Sequence, residues 1–272
     1  MDEELRSLPP PSFDATEEPA PQEPRKGIRP QSSKAKGRRL QQWAATQYKE
    51  AFPHLQGNDV RSLSMGAAGD DLILSPAALD VLPYNFEMKN VEKFQLWSTL
   101  RQVGKRHTER EVNTVPCVVA KKNRAQPVTI VPLGHLIHLL QCTVTPVGQD
   151  GAIPEASVDA MVAVGEEVSL DDALYSALSG VSSAVSSSNG IISMLHYHFY
   201  VQAKSKFNFW NYWGNLWSRY KSSDACPVVV FNRGESQAVV YAIMPFSAHV
   251  ELLKDRWAHV RKRKILALMA ET

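Results

Sequence analysis

Apolar positions in the first half of the chain follow a helical spacing and then a strand-like one. The helical spacing covers residues 38–52 and places large apolar side chains on one face: Leu40, Trp43, Tyr48 and Phe52. Three short runs typical of β-strands follow, at 60–65, 71–74 and 84–89. The other elements predicted for this half are an amphipathic helix over 91–111, strands at 115–120 and 127–133, and a short helix near 140. The predicted order is α-β-β-β-α-β-β, an α/β unit over residues 34–140.

The same pattern recurs in the second half of the chain. YNFEMKNVEKFQLW (84–97) aligns without gaps with YHFYVQAKSKFNFW (197–210), and residues 115–133 resemble 225–246 with small gaps. Two similar segments in the same order indicate an internal duplication, although two aromatic-rich α/β segments can also match by chance. We therefore predict a second copy of the strand-helix-strand-strand element within 186–272, ending in a C-terminal helix.

Composition separates two further segments from these units. Residues 1–33 are rich in proline and poor in large apolar side chains, which predicts a disordered arm. Residues 141–185 contain no lysine or arginine and are acidic, so we interpret them as an insertion or linker with one helix near 169–180. The formal net charge of +2 thus conceals a cationic segment at 34–140, which favours a polyanionic partner.

Hydrophobic residues make up 44% of the chain, enough for a sizeable core. No uninterrupted apolar stretch is long enough for a transmembrane helix, and the first residues lack the pattern of a secretory signal. Cys117, Cys142 and Cys226 form no CxxC pair and leave an odd thiol, which argues against a disulfide scaffold or a cysteine zinc site. We expect no membrane partner and a cytoplasmic location (the host cytoplasm for a viral protein), not secretion.

Two acidic residues and a lysine are the strongest candidates for chemistry. Glu87 and Lys89 are two residues apart in a predicted strand, so they project from the same face while Met88 turns away. Asp71 heads the preceding apolar run and meets Glu87 if the two strands are neighbours. Paired carboxylates suit Mg²⁺, and a neighbouring lysine can orient or deprotonate a metal-bound water. Such a set can hydrolyse a phosphodiester.

The succession SMGAAGDDLIL, then FEMKN, then an amphipathic helix resembles the PD-(D/E)XK nuclease superfamily, especially its Holliday-junction-resolvase-like and phage recombination members. The resemblance implies a restriction-endonuclease-like core (α-β-β-β-α-β), followed here by a second, degenerate copy of the core element. It implies Asp71 and Glu87 as ligands of Mg²⁺ or Mn²⁺, Lys89 as the residue that serves the attacking water, and Gln102 as a supporting catalytic residue. Because Asp70 stands where the family has proline, the choice between Asp70 and Asp71 as ligand stays open.

The resemblance implies DNA as the partner, and it is also compatible with a homodimer of the chain. Basic residues around the proposed site are candidates to neutralise phosphates: Lys36, Arg38, Arg39, Lys93, Lys121, Lys122 and Arg124. The aromatic run 207–217 could stack on bases, but its helical spacing favours a core or partner interface. The histidines at 135, 138, 196 and 198 are interpreted as structural.

The second copy is expected to be catalytically inactive. Tyr200 and Gln202 stand where the first copy has Glu87 and Lys89, and neither can hold a metal or serve a water in the same way. The leading hypothesis is a Mg²⁺-dependent DNA endonuclease acting on branched or structured DNA, with one active site in each chain. The alternatives are a non-catalytic DNA-binding or interaction module with a vestigial nuclease fold in a replication, recombination or packaging assembly, and an RNA-processing nuclease.

Overall fold

The computed structural model describes residues 30–63, 69–108, 114–144, 169–202, 208–232 and 239–270. Most of the predicted arm and the middle of the 141–185 segment lie outside these ranges. The helices are α1 (Pro30–Ala51), α2 (Pro76–Val81), α3 (Leu96–Thr108), α4 (Leu133–Val144), α5 (Leu170–Ser179), α6 (Phe209–Tyr220) and α7 (Phe246–Ala270). The strands are β1 (Val60–Ser62), β2 (Leu72–Leu74), β3 (Tyr84–Asn90), β4 (Val115–Lys121), β5 (Val128–Pro132), β6 (Val185–Ser188), β7 (Ile191–Met194), β8 (Tyr197–Gln202), β9 (Cys226–Phe231) and β10 (Tyr241–Pro245).

An eight-stranded mixed sheet forms the centre of the molecule, in the order β3-β4-β5-β10-β9-β8-β7-β6. The pairs β3–β4 and β8–β9 are parallel, and the other neighbours are antiparallel. Strands β1 and β2 form a separate antiparallel pair beside β3, where the Asp71 amide donates to the Phe86 carbonyl at 3.0 Å. The α/β class predicted from the sequence is confirmed.

The sheet has an internal two-fold relationship centred on the β5–β10 pair. Ile130 lies opposite Ile243 there. Moving outward from Ile130, the register passes through Val118 on β4 to Glu87 on β3. Moving outward from Ile243, it passes through the corresponding valine of β9 to Tyr200 on β8. Strand pairing therefore places β3 and β8 in equivalent positions of the sheet, in the register in which the sequence aligns 84–97 with 197–210.

Helices cover both faces of the sheet, which gives three layers. One apolar cluster joins one face of the sheet to α1, α4, α5 and α7, and the other joins the opposite face to α3 and α6. Because side chains alternate along a strand, Phe86 and Met88 enter the first cluster. Glu87 must then project toward the α3 side, where its β4 neighbour Val118 is also found. The burial pattern of β3 thus decides which layer surrounds the glutamate.

One helix and one β-hairpin were not predicted. Helix α2 lies in the connection from β2 to β3, where the Ser75 hydroxyl accepts from the Ala78 amide at 3.2 Å and Pro76 occupies the first turn. The β6–β7 hairpin turns at Asn189 and Gly190, both with positive φ, as a tight hairpin of its type requires.

The hairpin gives the second half the same element order as the first. Helix α6 follows α5, β6, β7 and β8, just as α3 follows α1, β1, β2 and β3, apart from the short α2. By this order the second half begins at α5, which lies within the segment interpreted as an insertion or linker.

Candidate active site

The core of the candidate site is a carboxylate and a lysine on β3. Glu87 is only 5% exposed, and its Oε1 lies 2.5 Å from Nζ of Lys89, which is half-buried. Both side chains project from the same face of the strand, as their spacing predicts. Glu87 is thus an ion-paired carboxylate on the face of the sheet that α3 covers.

Asp71 joins this pair through the backbone of β3. Its Oδ2 accepts from the amide of Met88 at 2.5 Å, and Met88 is the residue between Glu87 and Lys89. Its Oδ1 accepts from Nε2 of Gln41 on α1 at 2.6 Å. The chain enters β2 through Gly69 at φ 134°, a conformation that glycine adopts without a Cβ penalty. The structure therefore brings Asp71, Glu87 and Lys89 together.

Burial and a neighbouring carboxylate make the negative charge of Asp71 unfavourable. Burial is the main cause that raises the pKa of Asp71, and the charge of Glu87 raises it further. The Met88 amide, the Lys89 ammonium and the Gln41 amide act in the opposite direction and lower it. Because the two carboxylates repel each other, a cation near both of them is electrostatically favoured.

Arg106 on α3 supplies such a cation from the chain itself. Its guanidinium donates hydrogen bonds to Oε2 of Glu87 and to the carbonyl of Gly69, and its Nη1 lies 4.0 Å from Oδ1 of Asp70. The sequence analysis gave Arg106 no role. The available signal was its position one turn after Gln102, on the helix that follows the E-x-K strand. Both Asp70 and Asp71 border the site.

Gln102 is exposed on α3, on the same side of the helix as Arg106 because the two are four residues apart. It therefore lies beside the arginine that contacts Glu87. From α1, the side chain of Gln41 reaches the site through its hydrogen bond to Asp71. Glu50, the acidic residue on that helix, is exposed and accepts from Gln47 at 2.7 Å instead.

Most of the predicted DNA-binding residues line clefts at the end of β4. Lys36, Arg39, Lys121 and Arg124 share a cleft of about 370 Å³, and Lys122 joins Lys121 and Arg124 in an adjoining cleft of about 640 Å³. These clefts are next to the site because Lys89 pairs with Ala120 and Asn90 pairs with Lys121. Arg38 and Lys93 are exposed and do not line either cleft.

A metal at this site would depend on the carboxylates of Asp71 and Glu87. Within the described ranges, no group of three or more histidine, cysteine, aspartate and glutamate side chains could hold a metal ion. Two carboxylates are a smaller set, and they fit Mg²⁺ or Mn²⁺ because Mg²⁺ retains several waters and takes one or two carboxylates in such sites. The Arg106 guanidinium now occupies one oxygen of Glu87, so a metal ligated by that oxygen requires the guanidinium to shift.

The equivalent place in the second half holds a different set of side chains. Tyr200 shares a hydrogen bond with Tyr220, whose hydroxyl lies 2.9 Å from Nδ1 of His198. Ile191 on β7 lies opposite Tyr200. Tyr200 and Gln202 therefore offer no carboxylate and no ammonium at the places of Glu87 and Lys89.

Comparison of the chain with family models, with curated proteins and with solved structures finds no match. Among the helices that the structure describes, none has the length and apolar character needed to cross a bilayer. The argument for function therefore depends on the site itself.

Proposed function

We propose that the protein is a Mg²⁺-dependent DNA endonuclease of the PD-(D/E)XK type that acts on branched or structured DNA in the cytoplasm. One observation carries this proposal: Asp71 accepts a hydrogen bond from the Met88 amide, between Glu87 and Lys89. Two acids and a lysine from separate segments thus converge on one strand of the sheet. Carboxylate pairs with an adjacent lysine are suited to phosphodiester hydrolysis assisted by a metal.

The order of elements supports the same proposal. The first half runs α1-β1-β2-β3-α3-β4, apart from the short α2, with β3 parallel to β4 and joined to it through α3. This is the α-β-β-β-α-β order of the superfamily that the sequence resembles. Asp71 precedes β2, and Glu87 and Lys89 lie on β3, which are the places that the resemblance implies.

The chain would perform hydrolysis with three kinds of group. Asp71 and Glu87 would hold Mg²⁺, which when bound polarises a phosphate oxygen and lowers the pKa of a bound water. Lys89, 2.5 Å from Glu87, would orient the attacking water and balance the charge that develops on the phosphate. Lys36, Arg39, Lys121 and Arg124 would hold phosphates of the flanking backbone in the cleft beside the site.

Cleavage assays test this proposal directly. The full-length protein is incubated with a four-way DNA junction and with a linear duplex of matched sequence, in Mg²⁺, in Mn²⁺ or in EDTA. We expect cleavage of the junction with either metal, at least a hundredfold slower cleavage by Lys89→Ala and Glu87→Gln, and unchanged cleavage by Lys254→Ala. Lys254 is a suitable control because it is an exposed lysine on α7 that pairs with Glu251. Cleavage by Lys89→Ala at the wild-type rate would contradict the proposal, as would the absence of cleavage with every divalent metal.

A second function is favoured by one specific contact. Arg106 neutralises Glu87 from within the chain, as a residue would in a vestigial site that no longer takes a metal. A non-catalytic DNA-binding module would bind a junction equally well in EDTA and in Mg²⁺, would not cleave it, and would be unaffected by Glu87→Gln. An RNA substrate of the same sequence in the same assay distinguishes an RNA-processing nuclease.

A further inference from the structure

The larger cleft at the end of β4 contains tryptophans as well as cations. It has a volume of about 640 Å³ and is lined by Lys121, Lys122 and Arg124 together with Trp43, Trp213 and Trp217. Among the described residues that line it, none is acidic. We call it the indole cleft. Its charge and its aromatic content together favour a ligand that has both phosphates and flat rings.

Both faces of the sheet contribute to the indole cleft. Trp43 belongs to α1, which packs on one face, while Trp213 and Trp217 belong to α6 on the other. The ammonium of Lys121 lies 5.6 Å from the centre of the Trp43 ring, a cation–π arrangement. The rings of Trp213 and Trp217 are nearly parallel, with an interplanar angle of 14° and centroids 6.3 Å apart. The cleft therefore lies at the end of the sheet, between α1 of the first half and α6 of the second, next to the turn from β4 to β5.

Two buried indole groups in this cleft lack hydrogen-bond partners. Trp210 and Trp213 are only 7% and 3% exposed, and within the described part of the chain neither Nε1 has a partner. Both nitrogens are themselves buried, so these two side chains contribute ring surface to the cleft lining. At the rim, Arg124 adopts φ 59°, a conformation that non-glycine residues rarely take, in the turn between β4 and β5.

We propose that the indole cleft binds a single-stranded segment of DNA next to the duplex held at the site. This inference rests on the proposed endonuclease function and names its substrate class: DNA with a single strand beside a duplex. A single strand exposes its base faces to tryptophan rings, whereas a duplex keeps them stacked inside. Lys89 pairs with Ala120, and Asn90 pairs with Lys121 in the next position of the ladder. The cleft therefore begins immediately beyond the site along β3 and β4, where a DNA strand that leaves the site would enter it.

The proposal gives the inactive second half a role in recognition. Helix α6, which provides Trp210, Trp213 and Trp217, belongs to that half, whereas Lys121, Lys122 and Arg124 belong to the first. Neither half alone contains both the cations and the three-tryptophan surface. The occupant is therefore recognised by the junction of the two halves.

Binding is measured without cleavage, so that the test does not depend on the catalytic proposal. The full-length Lys89→Ala variant in EDTA is titrated with a labelled thymidine oligonucleotide of about 20 residues, and separately with a duplex of equal length. We expect tighter binding of the single strand, with quenching of tryptophan fluorescence. Trp217→Ala should weaken single-strand binding at least about fivefold, the effect of losing one stacked base, and leave duplex binding unchanged.

Trp257→Ala is the matched control, because Trp257 is a half-buried tryptophan on α7 that stacks on His54 and does not line the cleft. If Trp217→Ala misfolds, the double variant Lys122→Ala/Arg124→Ala replaces it and should reduce the salt dependence of single-strand binding. Unchanged single-strand binding in a folded variant, or equal affinity for duplex and single strand, would overturn the inference.

The two proposals fail in different ways. Metal-dependent cleavage by the wild-type protein without single-strand binding would remove the inference and leave the endonuclease in place. Single-strand binding that depends on Trp217, without cleavage in any metal, would remove the endonuclease and leave the indole cleft as a binding site.

Discussion

Arg106 donates a hydrogen bond to Oε2 of Glu87, the carboxylate whose Oε1 lies 2.5 Å from the ammonium of Lys89. Both oxygens of the glutamate are thus engaged by cations of the chain itself. A divalent ion that uses Oε2 must compete with the guanidinium. The affinity of the proposed site for a metal would therefore depend on the position of Arg106.

Removing this competitor should strengthen metal binding. In Arg106→Gln, we expect the affinity for Mn²⁺, measured by calorimetry, to rise about tenfold, because apparent affinity is reduced by the fraction of molecules in which the site is blocked. Arg101→Gln is the control, since Arg101 is an exposed arginine on the same helix. Equal Mn²⁺ affinity in Arg106→Gln and the wild type would show that the guanidinium does not compete with the ion.

Gln41 should stabilise the folded protein through Asp71. Gln41→Leu leaves Oδ1 of a half-buried carboxylate without its donor, which we expect to lower the free energy of unfolding by about 1–3 kcal/mol in urea denaturation. The adjacent Gln42 is exposed, so Gln42→Leu should change stability by less than about 0.5 kcal/mol. Equal losses in the two variants would mean that the hydrogen bond to Asp71 contributes nothing measurable.

One active site in each chain should produce nicks. The second half has Tyr200 and Gln202 at the places of Glu87 and Lys89. If the chain is the proposed endonuclease, a single chain would therefore cut only one strand in each encounter. We expect supercoiled plasmid to become open circles before linear molecules form, as followed on agarose gels. Tyr200→Phe should leave this time course unchanged. Linear product appearing from the start would show that two chains act together.

The order of elements could be predicted because it depends on local periodicity. Phe86 and Met88 alternate with Glu87 and Lys89, and burial of the apolar pair decides the face that the charged pair takes. The two-fold relationship was visible for the same reason, since Tyr200 aligns with Glu87 in sequence and in register. The β6–β7 hairpin was missed because VSSS has no apolar alternation, and its remaining signal was the turn itself.

The contacts of the site could be predicted only in part. Helix periodicity indicates the face on which Arg106 lies, but not the acceptor that its long side chain reaches across the space to β3. The contact of Gln41 with Asp71, thirty residues away in sequence, depends on how α1 packs against β1 and β3. The indole cleft depends on segments that are still farther apart, since Trp43 and Trp217 line one cleft only when the sheet is complete.

A buried hydrogen-bond cluster lies beneath the first half of the sheet. The hydroxyl of Tyr84 lies 2.6 Å from Nε2 of His135 and 2.9 Å from Nε2 of His249. A hydroxyl donates only one hydrogen bond, so at most one of these nitrogens accepts from it. Burial is the main cause that lowers the pKa of His249 to about 3, and the charge of His135 when protonated lowers it further. His249 is therefore neutral in the folded protein.

This neutral histidine should make stability depend on pH below about 6.5, the pKa of an unfolded histidine. Between that pH and about 3, the unfolded chain binds a proton at His249 that the folded chain does not, so stability is complete above this window and falls with pH inside it. One such proton lowers the free energy of unfolding by up to about 1.4 kcal/mol per pH unit. In urea denaturation across this window, His249→Gln should have a slope shallower by nearly this amount. An unchanged slope in His249→Gln would show that protonation of His249 on unfolding does not cause the pH dependence.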